Sequence, residues 1–359
     1  MVFLQKKFNS VYYFGILGIA LIGLYFRFQC LAERPFGGDE AYQLEKSMGP
    51  LKPIWKHNNY GDFSAFPGEY LLNYPLVKVF GESQNKWGLA LFHILITIWS
   101  FYCLKLISDR LFKSEAGGIV LFLIMAFHQV LIFHSLEFRP YGFLSVLSLT
   151  TFYFVDVFLK DGARLGKLQL TLLTLYFLFC ILAHQYGILI FVFITMNGFL
   201  QEERFWVKLR KEMLYLALIF LIALPIWFWF SIGTAHQAKS IKLFKDTFEY
   251  IPNPMLDIVG FIKNVVGNLI GFKFFYVFLI GPAALFLKEN KDRLNQLGFF
   301  MILIFLPLYL NLLSDVVMKY WFIQRQFTWV MPLFAIWVGW CCDSLWVSLR
   351  QNSLRRQNI

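Results

Sequence analysis

Four stretches of this chain carry ionisable side chains in settings where they could handle an anionic group. In Pro35-Phe36-Gly37-Gly38-Asp39-Glu40-Ala41-Tyr42, the glycine pair suits a tight turn and the two acids fall at a helix start. Free amides and the helix dipole favour carboxylates there. An ordinary cap accounts for both acids. So does a division of labour, because adjacent side chains on a turn point in different directions. One acid would take the proton of an acceptor hydroxyl while the other braces the loop or reaches a metal. Spacing alone does not allocate the two jobs.

The second stretch is Ser135-Leu136-Glu137-Phe138-Arg139-Pro140-Tyr141, where Pro140 suits the first turn of a helix. Glu137 and Arg139 can neutralise one another, or Arg139 can hold its planar donor fork ready for a phosphate. His184, in Ala183-His184-Gln185-Tyr186, and Arg325, in Gln324-Arg325-Gln326-Phe327, add two further cations. Separately they read as a satisfied histidine and a helix-end anchor. Together with Arg139 and the Asp39-Glu40 pair they place acids and bases on one side of a membrane, as a site for an anionic lipid headgroup requires. Asp156 and Asp343 are weaker candidates, expected at the opposite side as snorkelling or paired acids.

The elements that must position these residues follow from composition. The chain is 58% hydrophobic and 20% aromatic, and its 15% of charged residues falls well below the roughly 25% of soluble domains. Runs such as Phe14 to Tyr25, Ile119 to Phe133, Leu214 to Phe230 and Phe299 to Leu313 are almost free of charge. A helix of about 20 apolar residues crosses a hydrocarbon core of roughly 30 Å, so these runs exclude a soluble globular domain. The sequence predicts an all-α polytopic integral membrane protein with about ten transmembrane helices. They lie near 11–29, 85–107, 115–135, 140–158, 168–183, 185–200, 212–231, 259–287, 296–313 and 327–346. Residues 1–346 form the membrane domain and 347–359 a short cytoplasmic tail.

Net charge is +11, and basic residues gather in stretches such as 201–211 and 347–359 that this topology puts inside. Both termini are therefore expected in the cytoplasm, and no basic stripe suggests nucleic acid. The first outer loop, about 27–86, holds short apolar stretches, 67–80 above all, that are too brief and Pro-marked to span. They read as amphipathic interface helices, as does a second outward segment near 232–258. Cys30, Cys103, Cys180, Cys341 and Cys342 show no paired spacing and read as inert thiols. No Gly-rich phosphate loop is present in the sequence.

At these residues the chain resembles the GT-C superfamily of integral membrane glycosyltransferases that use polyprenyl-phosphate sugars. Protein O-mannosyltransferases and aminoarabinose transferases acting on lipid A belong to that group. Arg34-Pro-Phe-Gly-Gly-Asp39-Glu40-Ala-Tyr42 is similar to their first-loop acidic motif, and Tyr70 to Ser83 to the interface helix leading into the second span. Glu137-Phe-Arg139-Pro-Tyr141 matches the Glu-x-Arg-x-Tyr turn, and His184-Gln-Tyr186 the histidine-aromatic turn. Arg325-Gln-Phe327, followed by Pro332, resembles the Arg-Tyr motif ahead of the final span. Relatives carry a His-Pro-Pro-hydrophobic-Tyr run where this chain has Ala65-Phe66-Pro67-Gly68-Glu69. Glu69 is thus a departure, and Asp62 stands near the acid that precedes the run.

The resemblance implies inverting transfer of a sugar from a polyprenyl-phosphate donor to a hydroxyl of a lipid, glycan or protein acceptor. Asp39 would be the base, with Glu40 beside it in the catalytic turn. Arg139, His184 and Arg325 would hold the donor phosphate, and Glu137, Tyr141, Asp62 and Glu69 would support the site. A polyprenyl-phosphate donor makes catalytic nucleotide binding unnecessary, and Asp39, Glu40 and Glu69 offer oxygen ligands for a divalent cation such as Mg or Mn, a set that does not by itself specify one. Membrane lipids surround the expected enzyme; with no soluble outer domain expected after the last span, it reads either as a minimal transferase or as one whose acceptor grip comes from an envelope-assembly partner protein. A bacterial inner membrane with the site facing the periplasm or exterior fits these traits. A lipid-linked sugar transporter and a non-catalytic assembly subunit are the competing classes.

Overall fold

The computed structural model describes residues 8–49, 67–161, 167–184, 186–188, 190, 221–222, 224–225, 257–263 and 328–357. Among the described residues every regular element is a helix. In chain order they are α1 (Ser10–Glu33), α2 (Gly38–Met48), α3 (Pro67–Phe80), α4 (Lys86–Leu89), α5 (Leu91–Leu111), α6 (Glu115–Phe127), α7 (Gln129–His134), α8 (Pro140–Asp161), α9 (Lys167–Ala183), α10 (Ile258–Ile262) and α11 (Val330–Gln357). By length and composition, α1, α5 and the Val330–Gln351 part of α11 can each cross a membrane. Val11, Phe14, Leu21 and Tyr25 on α1 and Leu95, Ile98 and Tyr102 on α5 remain exposed. Apolar stripes of this kind are stable against hydrocarbon and costly against water.

The centre of the bundle is the crossing of α6 and α11, with α1 and α8 packed beside them. A Cβ on Gly117 would lie 2.8 Å from the Gly339 carbonyl oxygen, and one on Gly339 equally close to that of Gly117. Only hydrogen at both positions lets the two backbones meet, a contact typical of membrane helices. Around it Tyr12, Leu104, Leu121, Phe122, Leu144 and Trp337 fill the main core.

The single span expected over 115–135 is two helices, parted at His128, whose backbone is extended. Arg27 accounts for the break. It is 3% exposed, in the midst of an apolar helix. Its Nη1 donates to the carbonyls of Gly23 and Ala126 at 2.8 Å, and Nη2 donates to that of Met125 at 2.6 Å. The cation thus closes carbonyls at the negative end of α6, which α7 does not continue.

Two short helices pack near the end of the bundle where α1 finishes. The expected helix over 67–80 forms as α3, with Pro75 inside it. Its start is pressed onto the end of α9, because a Cβ on Gly68 would come within 2.9 Å of the Leu182 backbone and 3.0 Å of that of Ala183. Alongside it α2 shares a cluster of Leu44, Val77, Leu89 and Phe138. Lys78 Nζ donates to the Met48 carbonyl at 2.7 Å, joining the C-terminal ends of α2 and α3. At the other terminus α11 runs on to Gln357, so the tail expected at 347–359 begins as a continuation of the helix. Most or all of the expected spans at 185–200, 212–231, 259–287 and 296–313, and of the interface segment 232–258, lies outside the described residues.

Candidate functional site

The first-loop acids and the Glu-x-Arg turn meet at one end of the bundle, and Glu40 is the joint. Its carboxylate takes both Nη groups of Arg34, one of them at 2.8 Å. It also accepts the backbone N–H of Gly37 at 3.0 Å and that of Phe138 at 2.7 Å. Two oxygens offer about four acceptor positions, and all four are taken. Arg34 continues across the joint, donating to the Leu136 carbonyl at 3.3 Å, while Lys86 Nζ donates to the Arg34 carbonyl at 2.5 Å.

Burial acts on both partners of this ion pair, and its partners outweigh it. Burial alone would raise the Glu40 pKa. Hydrogen bonds from Arg34, Gly37 and Phe138, with the Arg34 charge, hold it below the usual carboxylate range instead. Burial would likewise lower Arg34, but its bonds to Glu40 and the charges of Glu40 and Glu137 bring it above its ordinary value. Of the two jobs open to the acid pair, Glu40 thus has the bracing one. Asp39 stands in the first turn of α2, and Glu69 in that of α3. Only the backbones of these two residues are described.

The glycine pair does not work as the sequence suggests. Gly37 has φ −67°, and neither it nor Gly38 adopts the left-handed region. A Cβ on Gly38 would meet nothing within 4 Å. The turn is held by the Glu40 carboxylate folding back on Gly37, half of a capping box, and needs no special backbone freedom.

Glu137 and Arg139 diverge from their turn. Glu137 Oε2 lies 2.5 Å from His134 Nδ1, three residues back. Arg139 Nη1 donates to Gln43 Oε1 at 3.1 Å, one helical turn after Asp39 on α2. The Arg139 guanidinium carbon lies 5.7 Å from the centre of the Tyr141 ring, within cation–π range. Tyr141 in turn meets the His184 ring edge-on at 6.3 Å, and His184 stacks on Tyr186 at 5.0 Å. Gln43 and His134 were not legible as site residues. A partner one turn along a helix or three residues before a turn was the only signal available for them.

His184 joins this cluster as a neutral group. Burial, with the Arg139 charge behind it, pushes its pKa down to about 3. Its Nδ1 accepts the Tyr186 N–H at 3.2 Å, so the ring proton sits on Nε2, a hydrogen-bond donor. The cation expected here is therefore a neutral donor at pH 7. Asp62 and Arg325 lie outside the described residues. Thr328, the nearest described residue to Arg325, donates from Oγ1 to the Tyr141 carbonyl at 2.5 Å.

Among the described residues no group of three His, Cys, Asp or Glu side chains is arranged for a metal. Glu40 in particular has no acceptor position left to ligate a cation. All five cysteines are free thiols, none of them joined in a disulfide. At the opposite end of the bundle Asp156 pairs with Arg110 Nε at 2.9 Å. Asp343 accepts the N–H groups of Lys113 at 3.0 Å and Ser114 at 2.6 Å, with the Ser114 hydroxyl at 2.5 Å, and so caps the start of α6. Neither protein-family models, curated proteins nor solved structures contain a match to this chain.

Proposed function

We propose that the chain is a polytopic membrane glycosyltransferase of the GT-C type, moving a sugar from a polyprenyl-phosphate donor to an acceptor hydroxyl with inversion. It would have about ten spans, both termini in the cytoplasm, and its site on the outer face of a bacterial inner membrane. One observation carries the reading: the acidic first-loop turn and the Arg139 turn, about a hundred residues apart in sequence, are bonded through Glu40 to Phe138 and through Gln43 to Arg139. An acid-bearing turn is thereby fixed beside a guanidinium, the juxtaposition that displacement of a phosphate needs.

In this mechanism the Arg139 fork and the His184 Nε2–H hold the donor phosphate. The acceptor oxygen bonds to the anomeric carbon as the bond from that carbon to the phosphate oxygen breaks. Negative charge then gathers on the departing polyprenyl phosphate, where Arg139 stabilises it. The acceptor proton passes to a base of the same cluster, a role the resemblance gives to Asp39. Glu40 binds neither substrate. It keeps the two turns in register.

The test incubates purified protein with a panel of polyprenyl-phosphate sugars and extracted envelope glycolipids, with the lipid products analysed by mass. Arg139→Gln should lower transfer by about 10²–10³-fold, the usual cost of one oxyanion donor, with little change in unfolding temperature. A protein that moves no sugar from any donor, or an Arg139→Gln variant that works at the parent rate, would overturn the proposal.

A further inference from the structure

Glu137 belongs to the Glu-x-Arg-x-Tyr turn, but its partner His134 lies outside the motifs, and the mechanism above uses neither of them. His134 closes α7, and Glu137 lies on the turn that follows, so the intervening backbone fixes their spacing. The Glu137 N–H donates to the His134 carbonyl at 3.4 Å, and the carboxylate reaches back to Nδ1 at 2.5 Å. The imidazole is gripped on its faces and edges. Phe133 meets it edge-on at 5.0 Å and Tyr141 at 6.2 Å.

A carboxylate on Nδ1 puts the neutral ring's proton on that nitrogen and leaves Nε2 with its lone pair. Among the described residues Nε2 has no hydrogen-bond partner. The His134 side chain is 16% exposed against 6% for Glu137, so the pair opens to its surroundings through the ring and not through the acid. Such an arrangement has the parts of a general base: a proton acceptor, an orienting carboxylate, and fixed geometry. Charged and titratable groups around it come from the first loop, from α2, from α8 with the turn before it, and from the residue after α9. Arg34, from the first loop, stands over the Phe133 ring and acts on Glu137, with Glu40 behind it. Tyr141 comes from α8, bearing Arg139 and His184 on its other contacts.

We infer that His134, backed by Glu137, is the base that takes the proton of the acceptor hydroxyl, in place of Asp39. The inference rests on the transferase reading. As the acceptor oxygen bonds to the anomeric carbon, its proton moves to His134 Nε2, and the bond to the phosphate oxygen breaks with its electron pair leaving on polyprenyl phosphate. The resulting imidazolium is stabilised by Glu137 and returns its proton to water.

The experiment compares the parent protein with His134→Gln, Glu137→Gln and Asp39→Asn in lipid nanodiscs, using the donor sugar from the panel that the parent transfers. His134→Gln should lose about 10²–10⁴-fold in kcat, keep the donor KM within about threefold, and lose the acid limb of its pH–rate profile. Glu137→Gln should fall about tenfold or more and keep the limb. Diethyl pyrocarbonate supplies a second arm that needs no variant: inactivation of the parent should follow carbethoxylation of His134 by mass and reverse with hydroxylamine. An unchanged rate and pH limb in His134→Gln, or inactivation that ignores His134, sinks the dyad while leaving the transferase reading intact. Absence of transfer by the parent sinks the transferase reading itself.

Discussion

Asp343 and Glu40 are buried acids at opposite ends of one helix bundle, and each accepts two backbone amides at or near the start of a helix. Their surroundings differ. Asp343 completes its set with the Ser114 hydroxyl and is packed against the Gly117–Gly339 crossing. Glu40 completes its set with a guanidinium, and the turn it anchors carries Glu137 with His134, Arg139 on Gln43, and Tyr141 beside His184. A buried acid is therefore no sign of chemistry in itself. What matters is whether the segment it fixes presents side chains that still have a donor or acceptor to give. Arg27 belongs with Asp343 in this respect, since its hydrogen bonds all end on main-chain carbonyls.

The comparison breaks most readily at Glu40. Glu40→Ala removes one partner of a buried ion pair and orphans the Phe138 amide, and should cost about 3–5 kcal/mol in reversible unfolding. Asp343→Ala leaves two amides at a helix start without their acceptor and should cost about 1–3 kcal/mol, with sugar transfer per folded molecule unchanged. Equal costs for the two, or lost transfer in folded Asp343→Ala, would erase the distinction between the ends.

Acid sharpens it further. The folded His184 value of about 3 lies below the ordinary 6.5, so between them the unfolded chain binds a proton that the folded chain refuses. Stability is complete above about 6.5 and declines as pH falls through that window. Glu40 acts in the same direction at lower pH: its depressed value contributes stability above the ordinary 4.5 that is lost as pH falls through the folded value. Thermal midpoints from pH 8 to 4 should therefore drop, and His184→Gln should flatten the drop between about 6.5 and 5. The smallest effect belongs to Gly38→Ala. With open space at Cβ and no left-handed backbone, it should gain about 0.4–1 kcal/mol in unfolding free energy. A loss would restore the glycine turn to the site.

Much of the architecture was legible because long apolar runs impose a simple helical pattern. The run from Phe14 to Tyr25 forms the middle of α1, Pro140 does open α8, and the Pro-marked stretch at 67–80 is a separate short helix. The break at His128 was not legible, since Ile119 to Phe133 reads as one apolar run. Arg27, the residue that stabilises the break, comes from another helix about a hundred positions earlier. Within the site the residue types were readable, but their pairings were not. Glu137 has Arg139 two positions away and nevertheless bonds His134, because side chains on a turn diverge while those three apart at a helix end come together.

The sequence by itself therefore determined that stretches such as 11–29, 67–80, 140–158 and 168–183 are helical and that ionisable residues gather where apolar runs end, because apolar length and the cost of burying charge act locally along the chain. The tertiary structure alone decided that Glu40 braces while His134 faces outward on its carboxylate, that His184 is neutral, and that Arg139 is held by Gln43. Those assignments depend on desolvation and on partners from distant segments, quantities that exist only once the helices have packed.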